Sequence, residues 1–192
     1  MSYEEKNAAL DQLIRPLPNP RYTIDASFRY IEHQLNGYEQ DWGGLNLEPD
    51  FQRGHVWTHE QRVAFIEGIF RGTVGDSQRI IQFNVPHWDD ENHGGDLPNE
   101  IQIVDGLQRL TTVRMFMAGE IAIFGGLKAS DLDGSKYAVN RPSYRLQFAI
   151  HNFANRADLL RYYLAINSGG TPHSTSEIER VKGLLAAADR AV

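Results

Sequence analysis

The run Ile101-Gln102-Ile103-Val104-Asp105-Gly106-Leu107-Gln108-Arg109-Leu110-Thr111-Thr112-Val113-Arg114-Met115-Phe116-Met117 decides the fold class. Its first four residues are rich in β-branched side chains, Ile101, Ile103 and Val104, and read as a short buried strand ending at Val104. Leu107, Leu110, Val113 and Met117 then recur at helical spacing, and Gly119 stands where a helix of that phase would stop. Only Asp105-Gly106 separates the two patterns, so the unit is strand, tight turn, helix.

Working outward, Ile80–Val85 reads as a second buried strand, separated from the first by the acidic, turn-rich stretch HWDDENHGGDLPN. Thr58 with Gln61 forms a capping box, and Val63, Ile66, Ile69 and Phe70 line one helical face before Gly72 ends it. Leu45–Phe51 is expected to be a strand opened by Gly43 and Gly44, and Tyr144–Ile150 another. Asp25 or Ser27 is expected to cap a helix carrying Phe28, Ile31 and Leu35. The residues up to Arg15 read as an amphipathic lead-in ended by Pro16, Pro18 and Pro20. A helix over Ala157–Ile166 and a last one with a Ser174/Glu177 capping box, bearing Ile178, Val181 and Leu185, complete the reading. Mixed strands and helices with one clear βα unit predict an α+β (mixed α/β) fold. With 192 residues and no linker or repeat, a single domain over 1–192 is expected, residues 1–24 being its lead-in.

Composition excludes several function classes. There is no cysteine, so disulfide scaffolds, thiolate nucleophiles and cysteine-ligated metals fall together. No apolar run is long enough for a spanning helix, so no membrane is expected as partner. The start MSYEEKNAALDQLIRP lacks the basic and apolar stretches of a signal peptide, and a cytoplasmic location is expected. Nineteen Lys and Arg against 25 Asp and Glu give a net charge of −6. That field disfavours non-specific DNA binding, and any phosphate site must be local. The histidines are scattered: His55 and His59 straddle the Thr58 cap, and His87 and His93 flank an acidic loop, so zinc is not expected and a metal site stays unassigned.

The chemistry concentrates at the strand-to-helix turn. A helix opening after Gly106 leaves the first N–H groups without intrahelical partners and aims them at the turn. The positive end of the helix dipole favours phosphate there, Gly106 lets a ligand approach, and Arg109 adds a charge-assisted fork. Asp105 can hold a metal or orient a water. The plainer reading is that Asp105 caps the helix and pairs with Arg109, worth well under ~1 kcal/mol if exposed. A second Gln-Arg pair, Gln52-Arg53 in PDFQRGHVW, lies at another expected strand end, and two arginines meeting there would make a small positive pocket in an acidic protein. Phe51 and Trp57 read as core. Asn167-Ser168-Gly169-Gly170-Thr171-Pro172-His173 is a glycine-rich turn between two helices.

FQRGHVW, IVDGLQRLTTVRMF and YYLAINSGGTPHSTSEIERV together resemble the domain-of-unknown-function 262 family, the N-terminal domain type of the GmrSD modification-dependent restriction enzymes. The resemblance runs from about Leu45 to Leu185. It implies a ParB/sulfiredoxin-like fold, a small mixed sheet packed by helices, and a role in phage-host or restriction-type defence. The family signature Asp-Gly-Gln-Gln-Arg, associated with nucleoside triphosphate binding and hydrolysis, falls on Asp105, Gly106, Leu107, Gln108 and Arg109. On that basis Asp105, Gln108 and Arg109 are the catalytic candidates. Gln52, Arg53, Gly106, Leu107, Thr111, Asn167 and Gly169 are the nucleotide-binding candidates, with Mg2+ as an accompanying ion. Leu107 departs from the signature, which spares backbone phosphate binding more than hydrolysis. The large enzymes of the family join this domain to a His-Asn-His nuclease. Here His151-Asn152 sits at a strand end without a metal-binding helix, so autonomous DNA cleavage is not expected, and an effector protein or nuclease partner is. The rival classes are a non-enzymatic module gripping DNA or protein through the same pocket, and a DNA-nicking nuclease.

Overall fold

The computed structural model describes residues 2–88, 94–167 and 175–190. Its elements are α1 (Tyr3–Ile14), β1 (Tyr22–Ser27), α2 (Ile31–Asp41), β2 (Leu45–Asn46), α3 (His59–Arg71), β3 (Ile80–Asn84), β4 (Ile101–Asp105), α4 (Leu107–Met117), β5 (Arg145–His151), α5 (Arg156–Asn167) and α6 (Thr175–Ala188). The five strands form one mixed sheet in the order β1-β5-β3-β4-β2, and the fold is α+β. β1 runs antiparallel to β5, β5 parallel to β3, β3 antiparallel to β4 and β4 parallel to β2.

Alternation along the strands sorts side chains to the two faces. Ile81, Phe83, Ile101, Ile103, Leu146, Phe148 and Ile150 meet Leu35, Phe65, Ile66, Leu110, Val113 and Phe116 from α2, α3 and α4. The other face presents Val104 to Leu159, Leu160 and Tyr163 of α5 and Val181 of α6. This second face also carries buried polar residues. Asn84 clasps Phe153, donating to its carbonyl at 3.0 Å and accepting from its N–H at 2.7 Å. His151 Nε2 lies 3.0 Å from Gln82 Oε1, to which the Tyr162 hydroxyl also donates at 2.5 Å.

Several sequence expectations change. No helix starts at Asp25 or Ser27. Tyr22–Ser27 is an edge strand, Asp25 pairs with Arg145 at 3.0 Å, and Ser27 makes no capping bond to the short 3-10 turn after it. Only one face of that strand is covered, so its outward Thr23, Asp25 and Ser27 mimic caps. The strand expected over Leu45–Phe51 keeps two residues, Leu45 and Asn46, before the chain leaves the ladder. Thr58 and Gln61 do form the reciprocal capping box of α3, and Gly72 closes it in the left-handed conformation. Ser174, half of the last expected capping box, lies outside the described residues.

Candidate functional site

β4 delivers its last residue through a bulge. Phe83 pairs with Ile103 but Gln82 pairs with Asp105, leaving Val104 as the extra residue. Paired residues share a face, so the bulge turns the Asp105 side chain to the side of Gln82 and α5. Burial pushes the Tyr162 and Tyr163 hydroxyls up to about 12, with the Asp105 charge as a smaller contribution in the same direction. Both phenols therefore stay protonated at neutral pH.

Gly106 follows with φ of 97°, in the left-handed region. A β-carbon there would sit 2.7 Å from Ile81 Cδ1 and 3.2 Å from the Ile80 carbonyl oxygen. Only glycine turns the chain into α4 at this place. No side chain caps the amides of the first turn of α4. Asp105 does not cap the helix; it accepts a hydrogen bond from Arg109 Nη2 four residues on. The pair is partly covered, the side chains being 19% exposed for Arg109 and 36% for Asp105. Arg109 Nε is buried with no hydrogen-bond partner among the described residues.

The two Gln-Arg pairs are joined by a crossed clamp. Gln52 donates its side-chain amide to the carbonyls of Val104 at 2.7 Å and Ile103 at 3.2 Å, continuing by side chain the pairing that β2 abandons after Asn46. In return, Gln108 reaches the loop after Arg53. Its Oε1 accepts from the N–H groups of Val56 and Trp57, each at 3.1 Å, and its Nε2 donates to the Gly54 carbonyl at 3.0 Å. Each glutamine thus fixes the backbone that carries the other pair. From α6, Arg180 donates to the carbonyls of Asp50, Phe51 and Gln52, and from the start of α5 Arg156 binds the Asp50 carboxylate at 2.6 Å.

The product is a cleft of about 320 Å³ whose lining includes Gln52, Arg53, Asp105, Gly106, Leu107, Gln108, Arg109 and Asn167. Arg53 is half-buried and has no hydrogen-bond or ion-pair partner among the described residues. Of the sequence candidates, Thr111 is elsewhere. It stands about 200° around the helix from Arg109 and lines another groove with Glu32 and Arg114. Gly169 lies outside the described residues. Leu107 is 5% exposed and belongs to the main core, touching the cleft only from beneath. Trp57, read as core, packs edge-on against Phe65 at 5.3 Å and also walls the cleft.

Sequence reading missed Tyr163, Gln78 and the tethering Arg156 and Arg180. Tyr163 and Arg180 were within reach, since both lie inside the stretch YYLAINSGGTPHSTSEIERV already singled out. No group of three or more metal-ligating side chains occurs among the described residues, and no helix there is long and apolar enough to cross a membrane.

Fold and site together define an α+β domain with a polar cleft at a βα turn, lined by Arg53, Asp105 and Arg109. A family model for the N-terminal domain of the GmrSD restriction endonucleases matches residues 31–155, well over half of the chain, and the chain belongs to this family. That places it among restriction-type defence modules. The match begins earlier than the resemblance read from the motifs and stops before α5, yet it contains both Gln-Arg pairs. No curated protein and no solved structure matches the chain.

Proposed function

We propose that the cleft binds the phosphates of a nucleoside triphosphate and that the domain is a slow nucleotide hydrolase, serving as sensor or switch for an effector in a restriction system. The observation that carries this reading is the convergence of Arg53, Arg109 and the uncapped first turn of α4 on one polar cleft of an otherwise acidic protein. Two guanidinium forks and helix N-terminal amides are the donors a polyphosphate needs. A phosphate oxygen competes with Asp105 for Arg109 and frees the carboxylate.

Magnesium needs only one or two carboxylates beside phosphate oxygens. Among the described residues Asp105 is the one carboxylate lining the cleft, and its side chain is accessible. Asp105 would hold the ion, which neutralises charge on the phosphates. In hydrolysis, water attacks the terminal phosphorus, the bond to the bridging oxygen breaks with its electrons leaving on the diphosphate, and the water proton passes to an oxygen of the released phosphate. Arg53 and Arg109 stabilise the charge spreading over the transferred group.

One observation favours binding without turnover. The Gln108 amide is engaged by loop backbone and Leu107 is apolar and buried, so neither presents a free amide to a water. Isothermal titration with ATP, GTP and CTP, with and without magnesium, combined with phosphate release, distinguishes the cases. Saturable heat that disappears in both Arg53→Ala and Arg109→Ala supports the proposal. Heat without phosphate release leaves a binding module, and no heat with any triphosphate refutes both. Metal-dependent relaxation of supercoiled plasmid would point instead to a nicking nuclease.

A further inference from the structure

Two apolar surfaces have no cover among the described residues, and they complement each other. The first is α1. None of its residues is buried, and Tyr3, Leu10, Leu13 and Ile14 recur at i, i+7, i+10 and i+11, which gathers them on one side of the helix. Leu13 is 79% exposed and Ile14 65%. Its N-terminus is finished by a reciprocal Ser2/Glu5 capping box, so the element is a specified helix rather than a frayed tail. Glu4, Glu5 and Asp11 against the one Lys6 leave the helix with a charge of −2.

The second surface is a groove of about 380 Å³ on the body, lined by Phe70, Arg71, Phe124, Leu127, Leu132 and Tyr137. Phe124 is exposed and held at φ of 47°, a conformation that bulky residues rarely adopt. It tops the turn closed by the Ile123–Leu127 bridge, and its N–H donates to Glu67 at 2.8 Å. Backbone strain spent on presenting an aromatic ring to solvent marks a surface used for contact. Cations lie on this surface: the Arg71 guanidinium, which also pairs with Glu67 at 3.2 Å, is 4.8 Å from the Phe124 ring centre, and the Lys136 ammonium 5.0 Å from that of Tyr137.

We propose that α1 of one copy docks in this groove of a second copy, apolar stripe into apolar groove and acidic flanks against Arg71 and Lys136, in a reciprocal dimer. The exchange is between copies because of the tether. Pro16, Pro18 and Pro20 make residues 15–21 a semi-rigid, extended spacer. That spacer enters β1 at Tyr22, which pairs with Ile150, whereas the groove lies by the other end, where Ser27 pairs with Arg145 and Phe70 packs on Tyr144 at 4.4 Å. To seat its own helix the spacer, about 22 Å long when extended, would have to reverse direction at Tyr22 and spend most of its reach running back along the strand's roughly 17 Å, against the stiffness of its three prolines. Two helices exchanged about a two-fold axis close the assembly and bury both surfaces twice.

Sedimentation over a range of concentrations of the full chain tests this. The wild type is expected to dimerise, and L13D/I14D on the helix and F124G/L127S in the groove to weaken the dimer by at least about tenfold each, as loss of a buried apolar side chain requires. F124G also releases the backbone strain, so its fold is expected to survive, which circular dichroism checks. The decisive arm mixes the two variants. One intact helix meets one intact groove, and a mixed dimer is expected to form where neither variant dimerises alone. A wild type that stays monomeric, a groove variant that dimerises normally, or a mixture that fails to associate overturns the proposal.

Discussion

Replacing Gln108 by Leu keeps the side-chain volume and removes the clamp. Three hydrogen bonds disappear, from the N–H groups of Val56 and Trp57 and to the Gly54 carbonyl. Each is worth about 0.5–1.5 kcal/mol net, and because residues 54–56 are exposed and can be rehydrated the sum falls at about 2 kcal/mol. For a chain of this size that lowers the melting temperature by about 4–8 °C. The loop carrying Arg53 is then no longer fixed against α4, so triphosphate affinity falls together with stability. Gln108→Glu retains both acceptor bonds, loses the donation to Gly54 and is expected to fall between wild type and Gln108→Leu in a thermal melt. Titration calorimetry supplies the affinity. Arg53→Ala, by contrast, should weaken binding with an unchanged melt. If Gln108→Leu melts and binds like the wild type and loses only phosphate release, Gln108 positions water rather than the loop, and the clamp argument is wrong.

Arg109→Ala should abolish triphosphate binding in calorimetry and cost about 1 kcal/mol or less in chemical denaturation, because the one side-chain partner of Arg109 among the described residues is the partly covered Asp105. Leu107→Gln places an amide among core side chains and should destabilise by about 1–3 kcal/mol with no gain in phosphate release; a faster turnover would restore the signature reading of that position. Burial lowers the His151 imidazole from its usual value to about 4. The unfolded chain therefore takes up this proton first as pH falls, and stability present above about 6.5 is lost progressively towards 4, by roughly 2–3 kcal/mol. Denaturation of wild type and His151→Gln across that window should differ in slope, and parallel curves would contradict the burial argument.

What was legible in the sequence is what short-range pattern controls. The β4-Gly106-α4 unit could be read because β-branched alternation switches to helical spacing across one glycine, and α3 because its caps lie within the segment they close. β1 was missed because an edge strand covered on one face offers outward polar residues that look like helix caps. Thr111, a candidate by family resemblance, falls outside the cleft because two residues along α4 carry it about 200° around the helix from Arg109.

The rest depends on pairing over distance, and there the two glutamines are instructive. Met in the sequence, Gln52 and Gln108 looked like polar groups waiting for a ligand, since an amide beside an arginine at a strand end is what a phosphate or water site would use. Their partners lie about fifty residues away in each direction, and only the parallel contact of β2 with β4 brings them within reach. Nor was the bulge at Val104 read, because the adjacent apolar pair Ile103-Val104 passes for the run of a buried strand; the extra residue appears only against the register of β3. Both devices act on the arginine and carboxylate next to them. Removing the bulge would return Asp105 to the face of α2 to α4, and removing the clamp would free the loop that holds Arg53. The side chains that would meet a ligand were thus recognisable by type, whereas the ones that aim them were recognisable only by position.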